Sequence, residues 1–380
     1  MSAHLPAFAK RLEELRQETT EVDPAVAGRR FLSVGGTGFL GEYLVEELLA
    51  RGAAEVRILC RTPPADDPTR DPRITFATGS VTDAAVVSEA CRDIDVVFHS
   101  AAAYGAPPFG RLGPGTAVHD INVGGVRNTL AAAREQGVSA YVYTSSTNVT
   151  FTGKDHWDMD EESSPYASGR KLDHYSRTKI EAEQLVLRAN CAELRTASLR
   201  PNGIYGPREQ YIIGKVLPLA RKLRGLPFSL RSKQRTDWTF VYNLVWAHLL
   251  AVKRLGEAGD AMGGHAYYIT DGGEPLHTMN DIILSFVRAF GFRGRFRIWV
   301  PTFLMVIGCV MMERLCYWLR RFQVTPPFTR TEALKAVVTE THSIERAQRE
   351  LGYRPLFTTQ EGLVHMNAEL VVRVGVDKKK

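Results

Sequence analysis

The sequence predicts an α/β protein in which a doubly wound parallel sheet is joined to a smaller C-terminal domain. Two observations predict the sheet: short apolar segments alternate with helix-patterned segments between residues 29 and 204, and no internal repeat competes with that pattern. A third predicts the smaller domain, because beyond residue 205 the alternation loosens. Prolines divide the chain there into short pieces, at Pro207, Pro218, Pro227, Pro275 and Pro301.

The individual elements follow from short apolar runs and from apolar residues at helical spacing. The predicted strands are 30–34, 55–60, 74–77, 95–99, 140–144 and 195–199. The predicted helices are 42–51, 82–91, 119–135 and 175–188. Because strands alternate with helices, we expect a sheet domain at 29–204, a smaller domain interleaved with it at 205–370 and a basic tail at 371–380.

Residues 1–28 form an N-terminal extension in this division. They are polar and charged, but Leu5, Phe8, Leu12 and Leu15 recur at helical spacing. The pattern predicts a short amphipathic helix followed by a linker, and a solvated extension is the alternative. These residues contain no apolar run, so we expect no signal peptide.

Composition excludes several classes of protein. Of 380 residues, 44% are hydrophobic and 24% are charged, which excludes a disordered, a collagen-like or a multi-span membrane chain. Five cysteines without a Cys-x-x-Cys pair indicate neither a disulfide framework nor a zinc site, so we expect no metal and a reducing compartment. The formal charge of +6 alone does not identify an anionic partner.

A glycine-rich turn follows the first predicted strand and precedes a helix. Gly35, Gly38 and Gly41 have the spacing that lets a backbone approach a pyrophosphate, which the free N–H groups of the helix then bind. The setting predicts a Rossmann-type dinucleotide site; a glycine-rich turn without a ligand is the alternative.

The end of the second strand bears on which dinucleotide is bound. Enzymes that use NAD usually place an acid there for the adenosine ribose, whereas this chain has Cys60-Arg61, with Arg57 in the same strand. An arginine pairs with a 2′-phosphate, so we predict NADP, with NAD second. The alternative for Arg61 is a solvated surface charge.

Tyr175 and Lys179 provide the candidate acid–base chemistry. They lie four residues apart at the start of a predicted helix, and therefore on one helical face. A nearby ammonium favours the phenolate, so we expect it to lower the pKa of the tyrosine, which suits the interconversion of an alcohol and a ketone. Residues 144–147 end the fifth strand with hydroxyls that can orient the substrate oxygen. Surface residues and a strand-end turn are the alternatives.

Together these motifs resemble the extended short-chain dehydrogenase/reductase family. More closely, they are similar to its 3β-hydroxysteroid dehydrogenase branch, which includes decarboxylating sterol-4α-carboxylate 3-dehydrogenases and family 42E. The resemblance covers about residues 30–365. The matching segments are VGGTGFLG from Val34, VFHSAA from Val97, NVGGVRN from Asn122, YTSSTNV from Tyr143, DHYSRTKIEAEQ from Asp173, LRPNGIYGP from Leu199, TDWTFVYNLVWAH from Thr236, YYITDGGEP from Tyr267 and FTRTEALKA from Phe328.

The resemblance implies roles for single residues. Tyr175 is the acid/base with Lys179 as its partner, Ser146 (with Ser145 as runner-up) is the catalytic hydroxyl, and Asn122 helps to hold the lysine through water. The implied cofactor contacts are Gly35, Thr37, Gly38, Phe39, Leu40, Gly41, Arg61, Ala101, Lys179, Pro201 and Ile204. Three positions depart from the family pattern: Val34 replaces a threonine, and Ser80 and Tyr242 replace acids.

Residues 298–312 form a segment without charged side chains, unlike the rest of the chain, whose composition is average. As a helix it would reach roughly 22 Å, short of a bilayer core of about 30 Å. Members of this branch carry such a segment for membrane attachment, so the block 298–319, flanked by arginines, predicts an interfacial or re-entrant helix. A helix buried in the substrate-binding domain is the alternative. In a eukaryote the expected location is the cytosolic face of the endoplasmic reticulum membrane, and otherwise a membrane-associated cytoplasmic one.

The predicted function is NAD(P)-dependent interconversion of a 3β-hydroxyl and a 3-ketone on a sterol or steroid, with loss of a 4α-carboxylate where one is present. The alternatives are an NADPH-dependent reductase of other bulky carbonyl compounds, similar to dihydroflavonol reductases, a nucleotide-sugar epimerase and a non-catalytic NADP-binding sensor. The expected partners are a sterol, a membrane surface and a second copy of the chain, since dimers are usual in the family. Nucleic acid is not expected.

Overall fold

The computed structural model describes residues 4–65, 69–104, 116–169, 172–209, 218, 222, 228–229, 234–257, 263–273, 279–291, 298–299, 302–319 and 330–374. Its strands are β1 (Arg30–Val34), β2 (Glu55–Cys60), β3 (Ile74–Thr78), β4 (Val96–His99), β5 (Ala140–Thr144), β6 (His156–Met159), β7 (Arg195–Pro201), β8 (Ile204–Tyr205), β9 (Phe228–Ser229), β10 (Thr239–Phe240), β11 (His265–Ile269), β12 (Ile298–Trp299) and β13 (Glu340–His342).

The helices of the described residues lie mostly between those strands. They are α1 (His4–Glu18), α2 (Phe39–Ala50), α3 (Ala84–Cys91), α4 (Ala117–His119), α5 (Gly125–Glu135), α6 (His174–Arg188), α7 (Val241–Glu257), α8 (Met279–Ala289), α9 (Thr302–Trp318), α10 (Arg330–Lys335) and α11 (Thr359–Val374). Short 3₁₀ turns occupy Thr20–Ala25 and Thr147–Val149, and π-helical turns occupy Asp120–Gly124 and Ala347–Leu351.

Seven parallel strands form the main sheet in the order β11-β7-β5-β4-β1-β2-β3. From β1 the chain adds β2 and β3 on one side, and it then adds β4, β5, β7 and β11 on the other side. Ligands of doubly wound sheets bind where the strand order reverses, here between β1 and β4, outside the carboxyl ends of the strands. Val34 pairs with His99, and His99 with Tyr143, so the ends of β1, β4 and β5 lie at one edge. The doubly wound parallel sheet predicted from the sequence is confirmed.

Two apolar clusters cover the two faces of this sheet. One contains side chains of α2 and α7, such as Leu44 and Leu244, and the other contains side chains of α3, α5 and α6, such as Val87, Leu130 and Val186. Helices on both faces explain why the strands are apolar along their whole length instead of alternating with polar residues.

Helix α7 shows that the region beyond residue 205 also supplies the sheet core. The proline-broken sequence predicted short pieces there, but α7 is a 17-residue helix whose buried side chains pack on the sheet, and β11 is the sheet's edge strand. His248 of α7 reaches β5, with its Nε2 atom 2.8 Å from Thr144 Oγ1. Burial lowers the pKa of His248 to about 4, although its contact with the Leu244 carbonyl opposes the shift.

The N-terminal helix α1 forms as predicted and packs against the rest of the chain. Phe8 and Leu15 are buried, and the Phe8 ring stacks on the rings of Phe357 and His365. The solvated extension that was the alternative is therefore wrong for α1. A polar sequence concealed this because only one narrow stripe of the helix is apolar.

Candidate active site

The glycine turn between β1 and α2 has backbone geometry that larger residues would disrupt. Gly35 has φ +95°, and a Cβ atom there would lie 2.8 Å from the backbone nitrogen of Ala101. A Cβ atom on Gly41 would lie 2.1 Å from the carbonyl oxygen of Gly35. The first glycine thus permits a tight turn against β4, and the third permits close contact between helix and turn.

The helix N-terminus at this turn is open towards the crevice. Gly38 is the N-cap of α2, it makes no side-chain cap, and it is exposed together with Thr37. Without a capping side chain, the first N–H groups of α2 are oriented to bind an anion. Leu40 is buried and Phe39 packs edge-on against Tyr43, so these two residues fix the helix while its backbone faces the crevice. The turn therefore fits the pyrophosphate of a dinucleotide.

The end of β2 contains the candidate selector of the adenosine phosphate. Arg61 is exposed and follows β2 directly. Arg57 is committed elsewhere, since its guanidinium donates to Glu55 and to the carbonyls of Ala90 and Arg92. Arg61 is therefore the exposed candidate at this strand end.

Helix α6 carries Tyr175 and Lys179 and begins at a side-chain cap. Asp173 accepts hydrogen bonds from the backbone N–H and the hydroxyl of Ser176, and also from the hydroxyl of Thr331 on α10. Tyr175 is half-buried, and its ring lies 4.4 Å, centre to centre, from the ring of Tyr104. The cap fixes the first turn of the helix, and with it the phenol.

Lys179 is buried and points from α6 to the end of β5. Its Nζ donates to the hydroxyl of Tyr143 at 3.1 Å and to the carbonyl of Thr144 at 2.7 Å, and it lies 6.0 Å from the centre of the Tyr175 ring. Burial lowers the pKa of Lys179 to about 7, although Glu183 on the next turn opposes the shift.

The pKa of Tyr175 differs from the sequence-based expectation. We expected the lysine to lower it, but burial, with a further contribution from the carboxylate of Asp173, raises the pKa of Tyr175 above its usual value. The expectation neglected desolvation, which here outweighs an ammonium group that hydrogen-bonds to β5. The phenol is therefore protonated at neutral pH and can donate.

The two candidate serines have different surroundings. Ser146 is half-buried at the start of the 3₁₀ turn, where its Oγ accepts from the backbone N–H of Asn148. Ser145 is buried beside Glu183, whose carboxylate accepts from Ser198 and forms an ion pair with Arg200 at 2.7 Å. Burial would raise the pKa of Glu183, but Arg200 and these hydroxyls hold it below its usual value. Ser146 is the better candidate for the hydroxyl that meets substrate.

Asn122 lies within the π-helical turn that precedes α5. Its side-chain oxygen accepts from the backbone N–H of Ala103, and its nitrogen donates to the Ala103 carbonyl and to the hydroxyl of Thr178. Turns of this kind often mark functional positions, because the extra residue frees a backbone carbonyl. Asn122 thereby joins the loop after β4 to α6 one residue before Lys179.

Pro201 and Ile204 stand at the end of β7 and in β8, on either side of the buried Asn202. The side-chain oxygen (Oδ1) of Asn202 accepts from the hydroxyl of Thr147 at 3.0 Å and from the Nζ of Lys335 at 3.3 Å. The loop therefore contacts both the turn that follows Ser146 and α10. Sequence reasoning missed Asn202 and Lys335, because they interact over long stretches of the chain.

The departures from the family pattern are accommodated locally. The carbonyl of Val34 accepts from the backbone nitrogens of Ser100 and Ala101 and so joins β1 to the β4 loop. The hydroxyl of Ser80 pairs with that of Thr82. Tyr242 joins an aromatic cluster, with ring centres 5.5 Å from Phe8 and 5.0 Å from Tyr43.

The apolar segment differs from its predicted bounds. Residues 298–299 form a strand, the helix α9 begins at Thr302, and it continues through Glu313 and Arg314 to Trp318. None of the described helices is both long and apolar enough to cross a bilayer. One side of α9 exposes a stripe of large apolar side chains: Phe303, Leu304, Ile307, Met311, Met312, Leu315 and Trp318.

Helix α9 is connected to the catalytic region through α10. The buried Glu313 accepts from the backbone N–H of Arg330 at 2.6 Å, at the start of α10. From the same helix Thr331 contacts Asp173, and Lys335 contacts Thr147. One short helix thus links the exposed apolar helix α9 to the candidate catalytic groups.

A family model matches most of the chain. Residues 32–302 match the 3-beta hydroxysteroid dehydrogenase/isomerase family. The chain belongs to this family. As a member of it, the protein is an NAD(P)-dependent oxidoreductase, and the Tyr175–Lys179 pair and the glycine turn lie within the matched residues.

Individual relatives of the chain differ in their named reactions. The chain is 31% identical over 333 residues to the mouse (Mus musculus) sterol-4-alpha-carboxylate 3-dehydrogenase, decarboxylating, covering 87% of this chain and 88% of that protein. It is 35% identical over 348 residues to a 3 beta-hydroxysteroid dehydrogenase/Delta 5→4-isomerase of Mycobacterium tuberculosis, covering 88% of each. It is 32% identical over 350 residues to a 2-alkyl-3-oxoalkanoate reductase of Stenotrophomonas maltophilia, covering 89% and 98%.

Solved structures share the fold at lower identity. An epimerase of Methanothermobacter thermautotrophicus has a TM-score of 0.69 at 22% identity, covering 93% of this chain and 95% of that one. A dTDP-glucose 4,6-dehydratase of Streptomyces venezuelae, solved with NAD bound, has a TM-score of 0.67 at 20% identity, covering 91% and 98%. At these identities the likeness shows the fold and carries no information on substrate.

Proposed function

We propose that the protein interconverts a 3β-hydroxyl group and a 3-ketone on a sterol or steroid, using a nicotinamide dinucleotide. The observation that carries the proposal is the hydrogen bond from Lys179 to the Thr144 carbonyl, which joins the helix of Tyr175 to the strand end that precedes Ser146. The glycine turn that fits a pyrophosphate follows β1, two strands away at the same edge of the sheet. Two relatives are named for 3β-hydroxysteroid or sterol-4α-carboxylate oxidation, which supports the substrate class.

The residues have complementary tasks in the oxidation direction. Tyr175 must first ionise, which costs free energy because burial raises its pKa, and the Lys179 ammonium, 6.0 Å from the ring centre, offsets part of that cost. The phenolate then takes the proton of the substrate hydroxyl. The Ser146 hydroxyl donates to the substrate oxygen and keeps it beside the phenol. The nicotinamide ring, when bound, supplies the hydride acceptor. In the reverse direction Tyr175 returns its proton to the carbonyl oxygen while hydride is delivered to the carbon.

A 4α-carboxylate changes the outcome of oxidation. Oxidation of the neighbouring 3-hydroxyl yields a β-keto acid, which loses CO₂ because the electrons of the breaking C–C bond pass into the ketone as an enolate. The residues that polarise the 3-oxygen for oxidation, Tyr175 and Ser146, also stabilise this enolate oxygen. Decarboxylation therefore needs no catalytic group beyond this set.

The first experiment is turnover of 3β-hydroxysterols with and without a 4α-carboxylate, in detergent, by wild type and by Tyr175→Phe. We expect the variant to lose at least about 100-fold in kcat/KM, since it lacks the transferable proton. Tyr43→Phe, which removes a buried phenol hydroxyl outside the site, is the matched control and should keep wild-type turnover. Equal activity of Tyr175→Phe and wild type on every sterol would exclude the proposed mechanism.

Arg61 supports NADP as the preferred cofactor. It is exposed at the end of β2, where an arginine can pair with a 2′-phosphate. Removing the guanidinium in Arg61→Ala should weaken NADPH binding about tenfold or more and leave NADH binding unchanged, as measured by nicotinamide fluorescence. Arg127→Ala, an exposed arginine on α5, is the control. Equal loss for both dinucleotides would remove Arg61 as the selector.

The exposed stripe on α9 supports contact with a membrane surface. Trp318 and Met311 are 84% and 66% exposed, and Arg314 lies beside them. An apolar stripe next to a basic side chain suits the boundary between headgroups and acyl chains. For a eukaryotic protein, the location that we propose is the cytosolic face of the endoplasmic reticulum membrane.

Vesicle sedimentation tests the membrane contact. A Met311→Ser, Trp318→Ser double variant should lose most of its binding to anionic vesicles, because it removes the two most exposed apolar side chains of the stripe. Val372→Ser, which changes a similarly exposed residue on α11, should bind as wild type. Unchanged binding of the double variant would refute the contact. Sedimentation velocity of the same samples measures whether the chain forms the dimer that is usual in its family.

A second candidate function is NADPH-dependent reduction of other bulky carbonyl compounds. The relative named 2-alkyl-3-oxoalkanoate reductase favours it. Its named substrate and an oxidised sterol-4α-carboxylate are both β-keto acids with a substituent between the two carbonyl carbons. Reduction of a 2-alkyl-3-oxoalkanoate without turnover of any sterol would select this second function.

A further inference from the structure

The ammonium group of Lys179 is held by the neighbouring strand as well as by its own helix. Its Nζ donates to the Tyr143 hydroxyl at 3.1 Å and lies 4.6 Å from the centre of the Tyr143 ring. It also donates to the Thr144 carbonyl at 2.7 Å. An ammonium has three N–H groups, so two are committed to β5 and one remains for the reacting groups.

We propose that Tyr143 is a positioning residue for the reaction: its hydroxyl holds the Lys179 ammonium beside β5, stabilises its charged form and so sets how strongly that charge acts on Tyr175. The inference rests on the proposed Tyr175–Lys179 chemistry and adds a group to it. Tyr143 does not itself exchange a proton with substrate.

Burial makes this support necessary. Lys179 is only 2% exposed, and burial lowers its pKa to about 7, so its charge at neutral pH depends on each polar partner. Tyr143 is buried as well, and burial raises its pKa well above 10, with Tyr175 close enough to contribute. Its hydroxyl therefore stays protonated, accepts from the ammonium, and can donate to the amine when that group is neutral.

The other titratable and charged groups around Lys179 do not replace this contact. From the elements packed against it these are Tyr175 and Glu183 on α6, Tyr143 on β5, His99 on β4 and Arg200 on β7. Glu183 is committed to Arg200 by an ion pair. His99 pairs in register with Tyr143, and burial, together with Lys179, lowers its pKa to about 3, so it is neutral. Tyr143 is thus the side chain, among the described residues, that hydrogen-bonds to the ammonium.

The direct test is the titration of Lys179 in the cofactor-free protein. NMR of ε-¹³C-labelled lysine follows the ionisation of each amine, and the Lys179→Arg variant assigns the signal. Loss of one hydrogen bond to a charged group should lower the pKa of Lys179 by about one unit in Tyr143→Phe. Tyr141→Phe is the matched control: this tyrosine lies two residues earlier on β5, and its hydroxyl contacts His99 and Thr129.

Turnover gives a second readout. With any alcohol that the wild type oxidises, Tyr143→Phe should lower kcat/KM at and above neutral pH, because fewer molecules then carry the Lys179 ammonium that supports the Tyr175 phenolate. Near about pH 5 Lys179 is charged in both proteins, so kcat/KM should approach the wild-type value there. The loss at pH 7 should be about tenfold, and Tyr141→Phe should retain the wild-type profile.

The results separate this inference from the proposed function. Absence of sterol turnover by wild type overturns the sterol substrate, whereas the lysine titration is read without substrate. An unchanged titration of Lys179 in Tyr143→Phe, or an equal shift in Tyr141→Phe, overturns the role of Tyr143. If Tyr143→Phe does not fold, Tyr143→His supplies the second variant, because its ring nitrogen can accept from the ammonium. A shift of the Lys179 pKa by less than 0.5 unit, about half the loss expected for phenylalanine, supports the positioning role of Tyr143. A full one-unit shift with this polar ring present counts against it.

Discussion

Replacement of Gly41 by alanine tests the close contact between α2 and the glycine turn. The added Cβ atom would lie 2.1 Å from the carbonyl oxygen of Gly35 and 2.6 Å from the Cα atom of Gly36. Ordinary contact begins at 3.4 Å, so helix and turn must separate by about 1.3 Å. Both neighbours are backbone atoms, which cannot rotate away as a side chain would.

The magnitude follows from the cost of overpacking. Inserted methyl groups in packed sites usually cost about 1–3 kcal/mol, and we expect the upper end here because the strain falls on backbone. The displacement also moves the N-terminus of α2 relative to the turn, so its N–H groups no longer converge on one anion. We therefore expect destabilisation by about 3 kcal/mol and dinucleotide binding at least about tenfold weaker.

Urea unfolding and nicotinamide fluorescence measure the two effects on the same samples. Gly256→Ala is the matched control, since this glycine lies in α7 with no further atom within 4 Å of its added Cβ. It should stabilise the protein by about 0.5–1 kcal/mol through helix propensity. The reasoning fails if Gly41→Ala unfolds at the wild-type midpoint and binds the dinucleotide with wild-type affinity.

Three further predictions concern the packing around the site, each followed by urea unfolding. Phe8→Ala should lower the free energy of unfolding by about 3 kcal/mol, because its ring is buried. Lys10→Ala, whose side chain is 80% exposed, should leave it almost unchanged. Equal effects of the two changes would show that α1 does not pack on the rest of the chain. Glu183→Gln should lower the free energy of unfolding by about 3–5 kcal/mol, because it leaves Arg200 buried without its counter-charge. The double change Glu183→Met, Arg200→Met should recover most of this stability. No recovery would show that the loss does not come from the unpaired arginine. His248 is neutral in the fold, with its pKa lowered to about 4, so its contribution to the free energy of unfolding is complete above pH 6.5. About 3 kcal/mol of that stability is lost as the pH falls towards 4. His248→Gln should flatten this dependence of stability on pH, and an unaltered dependence would contradict the assignment.

Local sequence determined the features that one or two neighbouring elements can specify. Gly35, Gly38 and Gly41 were found because a strand, a turn and a helix adjoin in the chain. The predicted bounds of the first two strands agree with the observed ones. Helix α2 begins at Phe39, three residues before the predicted start, because Gly38 caps it in an extended conformation. Tyr175 and Lys179 share a helix face for the same reason of short spacing.

Resemblance identified residues whose geometry the pattern alone does not show. Asn122 was assigned only through the family motif, and the structure places it in a π-helical turn that no apolar periodicity signals. The structure also gives Ser146 and Ser145 different surroundings, because Ser145 is buried beside Glu183 and Arg200. The order of the two serines stays a prediction.

Tertiary structure alone decided what Lys179 touches and how much water surrounds it. The sequence places an ammonium near a phenol and predicts a lowered pKa for Tyr175, but desolvation reverses that shift, and β5 holds the ammonium through Tyr143 and Thr144. Likewise a polar N-terminal stretch docks through Phe8, and α9 exposes its apolar stripe. The sequence by itself determined which chemical groups are present and which of them share an element. Burial, charge state and contacts between distant elements depend on how those elements pack, because desolvation and long-range hydrogen bonds are properties of the assembled fold.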